Sequence, residues 1–169
     1  MSDAITIERI KQLHPKLRDE ASKIYAEICE ALKGKAICRF SYTTRTFAEQ
    51  ALLFAKGRTA PGPVVTNARA GKSYHNYGLA VDIVLLVDTD NNGSHETASW
   101  NTEKDFDGDG KSDWQEVVAI FKQYGWEWGG DWKFSDKPHF QKTFGKSINQ
   151  LLELYNQKKL IPQTNFVNI

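Results

Sequence analysis

The chain has 169 residues, enough for one domain with a core of its own and too few for two. Hydrophobic residues make up 40% and aromatics 12%, which excludes a disordered chain. Basic and acidic side chains nearly balance, leaving a net charge of +1, so bulk charge calls for no polyanionic partner and no nucleic acid is expected.

The first twenty residues lack an apolar signal-peptide core, and no apolar run approaches the ~20 residues that span a bilayer. We therefore expect a chain made in the cytoplasm without a signal peptide, with no stable membrane insertion, and monomeric. A substrate outside the cytoplasm would be reached with the help of another protein. Leu17, Ala21, Ile24, Ile28 and Leu32 recur at helical spacing and predict an amphipathic helix stopped near Gly34. Ala36 to Tyr42 is β-branched and aromatic and predicts a strand. Cys29 and Cys38 fall on these two elements as small apolar residues; without C-x-x-C spacing, a disulfide or metal role is the lesser alternative. His14, just before Pro15, reads as a surface or capping residue.

Thr46 and Glu49 have the spacing of a capping box, so a second helix starts there and stops near Gly57. Gly57 to Lys72 reads as a long loop. Leu79 to Val87 is apolar except for Asp82 and predicts a buried strand. Residues 88–113, rich in Asp, Asn and Gly, read as a loop or insertion, with His95 exposed. Trp114, Val117, Val118 and Phe121 predict a third helix ending near Gly125. Short strands are expected at about Gly125 to Trp128 and Pro138 to Gln141, and a last helix from Ser147, capped by Gln150. The tail beyond Pro162 is expected to be irregular. Mixed short helices and strands without a linker or repeat predict one compact α+β domain.

Asp82 is the sharpest chemical signal. A carboxylate within an apolar strand costs several kcal/mol unless it is paired, by a divalent cation or by an arginine. His75 enters the same strand past Gly78, and a catalytic zinc takes three such imidazole and carboxylate ligands and leaves one position open. His139 opens a later short strand and can reach the same cleft. Asp136, three residues earlier, cannot easily ligate from the same strand face. It either faces the attacking water as a general base or belongs to a solvated Ser-Asp-Lys-Pro turn.

Ser73, His75, Gly78, Ala80 and Asp82 match all five fixed positions of S-x-H-x-x-G-x-A-x-D. This run resembles the signature of the zinc peptidase family that includes D-alanyl-D-alanine carboxypeptidases and dipeptidases, and L-alanyl-D-glutamate endopeptidases of phage endolysins. Arg45-Thr46-Phe47-Ala48-Glu49-Gln50 resembles its R-[ST]-x-x-E-Q helix start. Gly57-Arg58-Thr59 and Val65-Thr66-Asn67-Ala68 resemble the loop before the signature in the endolysin-like branch. Trp128-Gly129-Gly130-Asp131-Trp132 and Asp136-x-Pro-His139-Phe140 resemble that branch's ending. The likeness spans roughly residues 35 to 142.

The resemblance implies the fold of that family, a small antiparallel sheet with flanking helices. It implies zinc on His75, Asp82 and His139, lowering the pKa of its water toward ~7 and polarising the scissile carbonyl. Asp136 would act as general base and acid and Arg45 would face the oxyanion. Ser73 and Trp128 are candidate substrate contacts; core packing is as good a reading for Trp128 and Trp132. The implied substrate is the peptidoglycan stem peptide, cut at its L-alanyl-D-glutamate bond by an enzyme reaching the cell wall through a holin-type lesion. A D-alanyl-D-alanine carboxypeptidase or dipeptidase, or an inactive zinc-bearing wall-binding module, is the alternative.

A second metal pattern lies in the insertion. Residues 105–116 fit D-x-[DN]-x-[DN]-G-x5-E, with Asp105, Asp107, Asp109, Asp113 and Glu116 at the oxygen positions of a calcium loop and Lys111 offering its carbonyl. A solvated acidic loop is the alternative. Asp88-Thr89-Asp90-Asn91-Asn92-Gly93 repeats the opening, but its twelfth position is Ser99, leaving Glu96 to compensate.

Overall fold

The computed structural model describes residues 1–169, and its first element is one the sequence pattern does not announce. Helix α1 (Ala4–Ile10) is a seven-residue turn, too short to be stable alone. Asp3 caps it by accepting from Thr6 N at 3.0 Å, and it is held against strand β1 (Ala36–Tyr42). Phe40 N donates to Thr6 Oγ1 at 3.0 Å and Arg9 donates to Phe40 O at 2.6 Å. These bonds satisfy the open edge of β1, which would otherwise offer unpaired backbone groups.

Helix α2 (Pro15–Ala31) starts with proline at its first position, where no amide hydrogen is needed. Its buried face is the predicted one, from Leu17 to Leu32. His14 caps it, accepting from Lys16 N at 3.2 Å, but is no surface residue: it is fully buried and its Nε2 meets Val167 O at 2.9 Å. The tail is therefore less irregular than expected. Val167 is buried and bridges to Leu160, so the C-terminus closes over the start of α2.

After β1, helix α3 (Phe47–Ala55) begins at the expected capping box, and a 3-10 turn at Tyr74–Tyr77 leads into strand β2 (Ala80–Val87). Strand β3 (Thr97–Ser99) forms inside the insertion. Helix α4 (Asp113–Gln123), strand β4 (Glu127–Trp128), a second 3-10 turn at Gly129–Asp131, strand β5 (His139–Gln141) and helix α5 (Ile148–Asn156) complete the chain. All strand pairings are antiparallel, in the order β1-β2-β5-β4. β2 is long enough to carry β5 beside its first residues and β3 beside its last. The result is one small open antiparallel sheet with helices around it, the α+β architecture expected.

Strand alternation then divides the chemistry. Val81, Ile83, Leu85 and Val87 of β2 enter the main core with Cys38, Phe40 and Phe140, against Ile24 and Ile28 of α2 and Phe121 of α4. The Phe121 and Phe140 rings stack at 4.3 Å. Asp82, His139 and Gln141 lie on the opposite face. Cys29 and Cys38 are free thiols, the latter buried. His95 is half-buried rather than exposed, its Nε2 3.0 Å from Gly34 O.

Candidate metal centre

Register builds the site. Asp82 pairs with Tyr42 of β1 and with His139 of β5, so a single row across three strands presents a tyrosine, a carboxylate and an imidazole. His75 arrives from the 3-10 turn, which Gly78 ends in the left-handed conformation at φ 68°. A side chain there would be strained and its Cβ would sit 2.6 Å from His14 N, the group that donates to Gly78 O. Gly78 thus serves the joint between the α2 start and the turn that carries His75. Asn76 ties the same turn to the loop ahead of α3, with Nδ2 donating to Arg45 O at 3.0 Å.

Asp82 Oδ1 lies 3.2 Å from His75 Nε2 and 3.1 Å from His139 Nδ1. The outer nitrogens decide what these contacts mean. His75 Nδ1 is 2.5 Å from Thr43 O, an acceptor, and therefore carries the hydrogen. Gln141 Nε2 donates to Glu127 Oε2 at 2.9 Å, which leaves Gln141 Oε1 facing His139 Nε2 at 3.1 Å as an acceptor. His139 Nε2 is therefore a donor as well. In the neutral imidazoles, both inner nitrogens point lone pairs at a carboxylate oxygen. Such an arrangement needs a proton or a metal ion between the acceptors, and the outer hydrogen bonds are those that orient histidine ligands. Burial opposes charge on Asp82, yet the hydrogen bonds and positive charge that His139 and then His75 offer when protonated hold its carboxyl well below the usual range. Burial is the largest influence on His139 and opposes its charge, but the Asp82 hydrogen bond and charge, the Gln141 hydrogen bond and the Asp136 charge together outweigh it and raise the imidazole. Two imidazole nitrogens and a carboxylate converging in this way fit the donor set of zinc.

His75, Asp82 and His139 line a cleft of about 470 Å³ together with Arg45, Ser73 and Asp136. Five of the predicted residues of this centre therefore converge with His75. Asp136 is placed by its backbone: its amide donates to Gly129 O at 2.9 Å and its carbonyl accepts from His139 N at 3.1 Å. A Cβ on Gly129 would fall 2.4 Å from Asp136 O, so only glycine permits this approach. Burial pushes the Asp136 carboxyl up; positive charge at His139 opposes the rise and the Asp82 carboxylate adds to it. Arg45 Nη1 donates to the buried Gln50 Oε1 at 2.9 Å, its guanidinium lies 4.3 Å from the Tyr42 ring centroid, and its buried Nε has no partner. Trp128 does not line the cleft. Its indole donates to Lys137 O at 2.7 Å and braces the segment carrying Asp136 and His139. Trp132 is the tryptophan beside the candidate metal centre, 5.3 Å from the His139 ring. Gln141, Glu127, Thr43 and Tyr42 escaped the sequence reading. The only local hint was Gln141, two residues beyond His139 and hence on its side of the strand.

The acidic insertion holds a second convergence. Asp105, Asp107 and Asp109 form one group, and Asp107, Asp113 and Glu116 another, each with a carboxylate oxygen from every member within 4.8 Å of the others. Lys111 N donates to Asp109 Oδ1 at 2.9 Å. Asp113 is fully buried, and its Oδ1 and Glu116 Oε2 have no hydrogen-bond partner. In the 88–99 loop, by contrast, the Asp88, Asp90 and Glu96 carboxylates are satisfied by Asn92 and Gly93 donors.

A small antiparallel sheet that presents two buried histidines and a partly buried aspartate as one donor set, beside an acid in a cleft, is the arrangement of a metal-dependent hydrolase. Residues 66–142 match the peptidase M15 model described as D-alanyl-D-alanine carboxypeptidase. The chain is 45% identical over 130 residues to the peptidoglycan L-alanyl-D-glutamate endopeptidase CwlK of Bacillus subtilis, covering 76% of this chain and 72% of that protein. It is 34% identical over 87 residues to an L-alanyl-D-glutamate peptidase of a Listeria phage, covering 46% of this chain and 26% of the phage protein. The chain belongs to the M15 peptidase family, whose members use a metal, typically zinc. No helix is long and apolar enough to cross a membrane.

Proposed function

We propose that this chain is a zinc-dependent endopeptidase that hydrolyses the L-alanyl-D-glutamate bond of peptidoglycan stem peptides. The observation that carries the chemistry is the convergence of His75 Nε2, His139 Nδ1 and Asp82 Oδ1 with both outer imidazole hydrogens already engaged. The bond choice rests on the relative that is 45% identical over most of both chains and carries that activity in its name. Zinc held by these three residues supplies Lewis acidity toward the scissile carbonyl.

The remaining work falls to the chain's own groups. A carboxylate oxygen of Asp136 takes the proton of the attacking water and returns it to the leaving amine nitrogen. Its raised affinity for protons suits it to hold that proton between the two steps. Arg45, fixed by Gln50 and Tyr42, sets a cation against the developing oxyanion where water is scarce. Ser73 hydrogen-bonds the substrate, and Trp128 keeps the Asp136 segment in place as the substrate docks. Calcium is the second cofactor of this reading, held by Asp105, Asp107, Asp109, Asp113, Glu116 and the Lys111 carbonyl, where it orders the 88–113 insertion. The enzyme acts as a monomer and reaches the wall through a membrane lesion made by another protein.

Digestion of purified peptidoglycan with mass spectrometry of the new termini tests the bond. A new N-terminal D-glutamate is expected. Free D-alanine would make the chain a carboxypeptidase, and absence of cleavage would make it a wall-binding module. Removing calcium with zinc held in place should lower the melting temperature or the activity; no change in either would remove calcium from the reading.

A further inference from the structure

The turn between α2 and β1 places a cation against the acidic loop. Lys33, at φ 46° beside Gly34, extends its ammonium to 3.0 Å from Asp107 Oδ2 and 3.2 Å from Asp109 Oδ2. The Asp107 side chain is 1% exposed, while that of Lys33 is 54% exposed. A buried carboxylate is thus neutralised by a lysine whose head group remains in reach of water. Asp107 and Asp109 are the third and fifth positions of the calcium pattern, two of its direct side-chain ligands. Of the remaining carboxylates, Asp105 accepts from the Gly108 and Gly110 amides, but Asp113 is fully buried, and its Oδ1, like Glu116 Oε2, is unpartnered.

We propose that Lys33 is a built-in competitor for this site, neutralising Asp107 and Asp109 when calcium is absent and leaving them when calcium binds. The proposal rests on the calcium reading of residues 105–116. Its physical basis is electrostatic. An ammonium at 3 Å and a divalent cation at the ~2.4 Å of a calcium–oxygen bond repel each other strongly if they share the same carboxylates. One lysine charge cannot also satisfy Asp113 and Glu116, so the lysine-closed loop keeps unpaired buried oxygens that a further cation would meet. Competition of this kind lowers the apparent calcium affinity, and the loop loads only where calcium is plentiful.

The test is calorimetric titration of the zinc-loaded full chain, dialysed into calcium-free buffer, with calcium chloride and separately with magnesium chloride. The unsubstituted chain should take up calcium at the 105–116 loop, and Glu116→Gln should abolish that uptake. Lys33→Met removes the charge and keeps most of the stem; it should tighten calcium binding about fivefold, the scale of one partly exposed ion pair, and lower the calcium-free melting temperature. Lys33→Arg should bind calcium as the unsubstituted chain does, which separates charge from any effect on the turn. No calcium uptake by the unsubstituted chain overturns the calcium reading and the proposal with it. Uptake with equal affinity in Lys33→Met and the unsubstituted chain overturns the proposal alone. Both readouts are independent of peptidase activity and so of the assigned bond.

Discussion

Asp82 and His139 stand directly opposite each other in the antiparallel pairing of β2 with β5, and their side chains meet with Oδ1 3.1 Å from Nδ1. Opposed residues share a face and bring their Cβ atoms to about 5 Å, so the two proposed ligands come together through strand register alone. Asp82→Asn preserves the shape and removes the charge; His139→Ala removes a nitrogen donor. Both should lose zinc, read as bound metal per chain after dialysis. A full equivalent of zinc in either variant would break the assignment of the ligands.

Asp136 is placed by backbone hydrogen bonds to Gly129 and His139. Asp136→Ala should keep its fold and its zinc while turnover falls by about 10²- to 10⁴-fold, the scale of a lost general base. Circular dichroism, bound-metal analysis and cleavage of a stem peptide together decide it. Zinc loss in this variant would mean that base and ligand are wrongly distinguished.

The chain from Glu127 through Gln141 to His139 fixes which imidazole nitrogen is free. Gln141→Leu fills the space without the acceptor and should weaken zinc by about 10- to 100-fold, as removal of such backing does. Titration against a competing chelator measures it. Unchanged affinity would show that strand position alone orients the ring.

Burial raises the Asp136 carboxyl, which must be ionised to act as the proposed general base. Activity should therefore fall as pH drops through this raised value, placing the acid limb of kcat/KM above the ordinary aspartate range. The profile must be taken with bound zinc monitored. An acid limb at or below that range, with zinc retained, would remove Asp136 as the titrating group.

His14 carries its own pH dependence. Burial is the main cause depressing its pKa, and the cap on α2 requires the neutral ring. The unfolded chain binds this proton more readily than the folded one, so stability is full above the unfolded value of about 6.5 and declines as pH falls toward the folded value. The substitution His14→Asn keeps a capping side chain and removes the titration. Its melting temperature should fall less than that of the unsubstituted chain between about pH 7 and about pH 5. Parallel declines would place the acid sensitivity elsewhere.

The amino-acid sequence alone determined the helix on Leu17 to Leu32, both capping boxes and the strand around Asp82, while the assignment of zinc to His75, Asp82 and His139 came from the resemblance to a peptidase family. Each of those elements rests on a pattern within a few residues: helical spacing, a cap three positions from its partner, a carboxylate within an apolar run. Only the tertiary structure decided the rest. Helix α1 exists because β1 needs a partner at its open edge. His14 is buried because Val167, 153 residues away, closes over it. Trp128 braces the cleft from outside because its indole reaches Lys137 O, and the imidazole tautomers follow from Thr43, Gln141 and Glu127. The same folding sets Lys33 against Asp107. Partners that meet only after the chain has folded leave no local pattern, since a hydrogen bond or ion pair depends on distance in space and not on spacing along the chain.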